Sequence, residues 1–111
     1  MFKKEINPFS VSDKVRFRNV DKTLTLTVKT DGNSIVLKMR QAKNKLNELT
    51  DDSQECERIN AARFLAAAIF GNDQANKLID FYDGEPLPVI SACGQYFNER
   101  LAKLITKAQK K

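Results

Sequence analysis

The sequence predicts an α+β fold that is mostly α: an N-terminal β-hairpin followed by about four helices packed as a small bundle. Two observations predict it. Between Val15 and Val28 hydrophobic and polar residues alternate, the period of a half-buried strand. From Ile35 onward hydrophobic residues recur every three or four positions, the period of a helix face. The 111 residues suit one domain, and a hydrophobic content of 41% is enough to build its core. Residues 14–111 are assigned to that domain. Residues 1–13 form a lead-in or arm, because Asn7-Pro8 and the nearby Ser10 and Ser12 show no period.

The hairpin comes first. Val15 and Phe17 alternate with Arg16 and Arg18, then Leu24, Leu26 and Val28 alternate with Thr23, Thr25 and Thr27. The second run is rich in β-formers. Asn19-Val20-Asp21-Lys22 supplies the turn, so Val15, Phe17, Leu24, Leu26 and Val28 face inward. A lone hairpin is marginal in water. It must lie on the helices or join a neighbour's strand.

The first helix follows Thr30-Asp31-Gly32-Asn33-Ser34. Ile35, Met39, Ala42, Leu46 and Leu49 make a heptad-like seam along it, opposite Lys38, Arg40, Lys43 and Lys45. Such a seam packs on the chain's own core or against a second subunit. Asp52 with Glu55 three residues later has the spacing of a capping box for the second helix. That helix is nearly apolar all round from Ala61 to Phe70, which makes it central, and Gly71 ends it. Asn72 caps a short third helix with Ala75, Leu78, Ile79 and Tyr82 inward. Asp83-Gly84-Glu85-Pro86 closes it, and a proline at the first turn opens a fourth helix running to about Lys107. Its inner face is Val89, Ile90, Cys93, Phe97, Leu101, Leu104 and Ile105. Gly94 within it costs ~1 kcal/mol relative to alanine, which a close helix crossing would explain.

Charge is segmented. The net is +5, arranged as +7 over residues 1–46, −6 over 47–85 and +4 over 86–111. A chain of that pattern can pair with a copy of itself, and homo-oligomerisation is expected. A nucleic-acid binder is more often basic on one continuous face, so nucleic-acid binding is expected to be weak and non-specific at most. No apolar run reaches the ~20 residues that span a bilayer, and residues 1–5 lack a signal-peptide pattern. No membrane association and a cytoplasmic location are therefore expected.

The chain contains no histidine. That removes the commonest general base and most transition-metal sites. Cys56 and Cys93 form no metal-ligand spacing and read as buried thiols on helix faces. No phosphate-binding, metalloprotease or nucleophile-elbow motif occurs. The expectation is a protein that binds proteins, with no enzyme activity, no metal site and no cofactor. Candidate protein-binding residues are Ile35, Met39 and Leu46 on the seam and the aromatics Phe81, Tyr82 and Tyr96. Candidate phosphate-binding residues, for the alternative of a small basic nucleic-acid-binding protein, are Arg16, Arg18, Lys103, Lys107, Lys110 and Lys111.

The second half carries a resemblance. The stretch ARFLAAAIFGNDQANKLIDFYDGEPLPVISACGQYFNERLAKLITKAQKK has an apolar helix ending in Phe70-Gly71. A short helix ending at Phe81-Tyr82-Asp83-Gly84 follows, then a long helix after Pro86. This pattern resembles small tail assembly chaperones of phages and prophages of Gram-positive bacteria, over roughly residues 14–111. The resemblance implies a non-catalytic protein of the bacterial host cytoplasm. It implies a partner in the tape-measure protein, or another tail protein, during tail morphogenesis. It supplies no fixed set of binding residues.

Overall fold

Strand β1 (Ser10–Asn19) pairs antiparallel with β2 (Lys22–Asp31) in the computed structural model, which describes residues 10–109. Val15 stands opposite Leu26 and Phe17 opposite Leu24, so one face of the ribbon carries Val11, Asp13, Val15 and Phe17 with Leu24, Leu26 and Val28. That is the inward face read from the alternation. β1 takes up the last four residues of the lead-in, and Val11 is part of the core. The turn is two residues, Val20 and Asp21, with Val20 at φ 59° and 94% exposed.

Four helical segments follow. α1 (Gly32–Asn47) buries Ile35 and Ala42 completely, with Met39 and Leu46 half-buried beside them. The seam therefore packs on this chain's own core. α2 (Glu55–Phe70) is central, touching α1, β2 and both following helices, and it buries Ala61, Ala62, Leu65, Ala66, Ala68, Ile69 and Phe70. Its cap lies two residues later than the Asp52/Glu55 spacing suggested: the Glu57 carboxylate accepts the Gln54 N–H at 2.7 Å. Residues 50–53 are instead held as a turn. The Ser53 hydroxyl accepts the Thr50 N–H at 2.8 Å, and Arg58 donates to the carbonyls of Thr50, Asp51 and Ser53. Cys56, in the exposed first turn of α2, is solvent-facing; the expected buried thiol is found only at Cys93.

Gly71, at φ 88°, separates α2 from α3 (Asn72–Phe81) and is itself the N-cap, with Asn72 as the first helical residue. Ala75, Leu78 and Ile79 are its buried face. Asp83 and Gly84 both take positive φ, and Pro86 opens α4 (Pro86–Tyr96) as the sequence suggested. The helix then passes through a π-helical turn, Phe97–Leu101, and continues as α5 (Ala102–Gln109).

The π-turn is a phase shift. Val89, Cys93 and Tyr96 are buried at spacings of four and three, and an uninterrupted α-helix would next turn Arg100, Lys103 and Lys107 inward. One additional residue in the π-turn brings Leu101 and Ile105 into the core instead. The fourth inner face therefore divides: Ile90, Phe97 and Leu104 are only half-buried, while Tyr96 is buried.

The hairpin lies on the helices. Phe17 meets Phe70 edge-to-face with centroids 5.7 Å apart. The Gln74 carboxamide completes part of the free edge of β2, accepting the Thr27 N–H at 2.9 Å and donating to the Thr27 carbonyl at 2.7 Å. Near the turn, Tyr82 donates to the Arg18 carbonyl and Asn19 donates to the Phe81 carbonyl. Among the described residues no helix is long and apolar enough to cross a membrane.

Candidate protein-binding groove

α1 and α4 both pack against α2 and do not close over one another. Between them lies a groove of about 540 Å³. Met39 and Leu46 come from α1, Leu65 from α2, and Ile90 and Phe97 from the last helix; these form its apolar lining. Arg40 and Lys43 stand on the α1 side and Asn98 on the other, and no carboxylate lines it. Among the described residues Asp13–Arg100 is the one ion pair, so Arg40 and Lys43 have no acidic partner among them.

Gly94 also lines the groove. A Cβ built on it would meet nothing within 4 Å. The close helix crossing expected at this glycine is absent; open groove lies over it.

The six candidate protein-binding residues divide four ways. Met39 and Leu46 come together in the groove. Ile35 is fully buried in the core. Phe81 and Tyr82 are half-buried at the end of α3, ring against ring at 5.0 Å, and tie down the hairpin. Burial holds the Tyr82 phenol above its ordinary range. Tyr96 stacks on Phe70 at 5.9 Å and donates to the Asp13 carboxylate at 2.9 Å. Burial, then the bond to Asp13, holds its phenol well above the usual value. Arg40, Lys43, Leu65, Ile90, Gly94, Phe97 and Asn98 were not singled out for binding by pattern. Gly94 alone carried a signal, as a helical glycine without an evident reason.

The phosphate candidates occupy two surfaces. Arg16 and Arg18 are exposed on the outer face of the ribbon, opposite Thr25 and Thr23, with Lys14 and Lys29 on the same face. Lys103 and Lys107 are exposed on α5, bordering a shallow depression with Ala102 and Thr106. Lys110 and Lys111 lie outside the described residues. No group of three or more metal-ligating side chains occurs among the described residues. Cys93 is sealed in the core, and burial pushes its thiol up to about 12. No protein-family model, curated protein or solved structure matches this chain.

Proposed function

We propose that this protein binds another protein and does not catalyse a reaction, and that it acts as a tail assembly chaperone holding an apolar segment of the tape-measure protein in the bacterial cytoplasm. The groove of Met39, Leu46, Leu65, Ile90 and Phe97 is the observation that supports this reading. An apolar concavity between helices is a common setting for an amphipathic segment, and methionine in its wall adapts to varied side chains. The phage context comes from the sequence resemblance.

The test is co-expression with a phage tape-measure protein. The native protein should keep that partner soluble, and Met39→Glu, which places a carboxylate in the groove, should abolish the effect while leaving its own melting transition intact. An equally soluble partner with and without the protein rejects the reading.

A second reading, a small nucleic-acid-binding protein, is favoured by one surface: the outer hairpin face with Lys14, Arg16, Arg18 and Lys29. Salt separates the two. Phosphate contacts make affinity fall steeply with ionic strength, and apolar contacts do not.

A further inference from the structure

We infer that the groove takes an amphipathic helix of a partner protein, one that carries carboxylates along the flank facing α1 and a small residue where it crosses Gly94. This rests on the protein-binding reading and adds the chemistry of the partner.

Three features lead to it. The first is Gly94. In mid-helix it lowers stability by ~1 kcal/mol relative to alanine. Neither its backbone nor its surroundings require glycine: it lies within α4, and nothing comes within 4 Å of where its Cβ would be. What the missing side chain provides is a bare patch of backbone in the groove. Helix axes ordinarily pack 8–10 Å apart, according to the side chains between them. A bare patch lets the incoming segment come nearer, provided it too is small at that point.

The second is charge. Arg40 and Lys43, three residues apart on one face of α1, border the groove without an acidic partner among the described residues. An occupant with carboxylates on that flank pairs with both, and one with lysines there is repelled. The third is the nature of the lining. It consists mainly of apolar side chains from helices, whose own main-chain groups are already paired. An extended segment would leave its backbone N–H and C=O groups without partners, and a helix satisfies its own.

A second copy of this chain does not match that description. Among the described residues its exposed large apolar side chains are Val20, Val36, Leu37, Phe64 and Leu87. Val36 and Leu37 lie on α1 among Lys38, Arg40 and Lys43, the same sign as the border. Phe64 stands beside Arg63 and under the Lys45 ammonium, 5.5 Å from its ring. Val20 sits in a two-residue turn and Leu87 between two prolines.

Synthetic amphipathic peptides of about four helical turns test this. One has glutamate along one flank and alanine at its centre. A second replaces the glutamates with lysine, and a third replaces the central alanine with leucine. Binding to the full chain is followed by fluorescence anisotropy, and the melting transition of every variant by circular dichroism. The glutamate peptide should bind at least about tenfold more tightly than either of the others. Arg40→Glu with Lys43→Glu should reverse the preference between glutamate and lysine. Gly94→Leu should weaken binding about tenfold or more while the protein melts no lower than the native chain. If Gly94→Leu does not fold, the leucine-centred peptide applies the same test from the partner's side. Equal affinity for the glutamate and lysine peptides overturns the inference, as does unchanged binding when either Gly94 or the central alanine is enlarged. So does sedimentation showing the groove filled by a second copy. The tape-measure solubility assay is separate, so a chaperone that ignores all three peptides loses this inference and keeps the proposed function.

Discussion

The Asp13 carboxylate receives both the Nε–H and an Nη–H of Arg100, at 2.6 and 2.9 Å, across 87 positions of the sequence. Tyr96 donates to the same carboxylate. One acid on the inner face of β1 is thereby satisfied by three donors from two residues of the last helix. Its side chain is 9% exposed, so losing those partners would leave a nearly buried charge.

The pair makes stability pH-dependent. The Arg100 hydrogen bonds hold the Asp13 carboxyl below its ordinary value of 3.8, against the opposing effect of burial. The carboxylate's contribution is thus complete above that value and is lost as pH falls through the lowered native value. Asp13→Asn should cost about 1–2 kcal/mol in urea unfolding at neutral pH. The gap between variant and native protein should begin to narrow below about pH 4 and close as pH falls through the lowered native value. A constant gap at all pH values would show that the charge is not what matters.

The inner face of the hairpin is core. Phe17→Asp and Leu26→Asp each bury a carboxylate with no designed partner and should lower stability by more than about 3 kcal/mol. Thermal melts check this. Cooperative transitions near the native temperature in both variants would mean that the ribbon is not packed on the helices.

How far the sequence reveals this arrangement depends on where each residue's partner lies. Val15, Phe17, Leu24, Leu26 and Val28 are legible because strand alternation is local. Gly71 and Pro86 are legible because a helix end is set by a residue or two. Asp13 is not: a charge in an inward column reads as the end of a strand, and the group that makes it tolerable is Arg100. The groove is assembled from three helices, so only Met39 and Leu46 could be marked in advance, from the seam. The sequence places Cys56 on an apolar helix face, but the first turn of α2 adjoins a polar loop and leaves it exposed.

The two thiols should react differently. A thiolate is the reactive form, and Cys93 is both enclosed and pushed up to about 12 by burial. Cys56 is exposed. A thiol-disulfide reagent at about pH 8 should titrate one thiol per native chain and two in denaturant. Two reactive thiols in the native protein would mean that the helix around Cys93 opens readily.

Val20 stores strain at the hairpin tip. A β-branched residue at φ 59° is unfavourable, and with 94% of its surface exposed it makes no packing contact in return. Val20→Gly should raise stability by about 1 kcal/mol, the relief of strain exceeding the entropy that glycine adds to the unfolded chain. A fall in the urea midpoint would show that the valine contributes more than its exposure suggests.

The π-turn gives the most direct structural prediction, because it accounts for one extra residue in the last helix. Deleting a residue from a regular helix rotates everything after it by about 100° relative to what precedes it. Deleting the exposed Ser91 from α4 should therefore swing Cys93, Tyr96 and all that follows out of register with the core, and the melting transition should be lost. Deleting the exposed Glu99 removes the extra residue itself. Leu101 then falls four positions after Tyr96, the spacing at which an α-helix keeps both on one face. That variant should retain helical circular dichroism and a cooperative melt, lowered only by what the displaced Arg100 gave to Asp13. Equal collapse of both deletion variants would show that the turn does not set the phase, and that Leu101 and Ile105 reach the core by some other means.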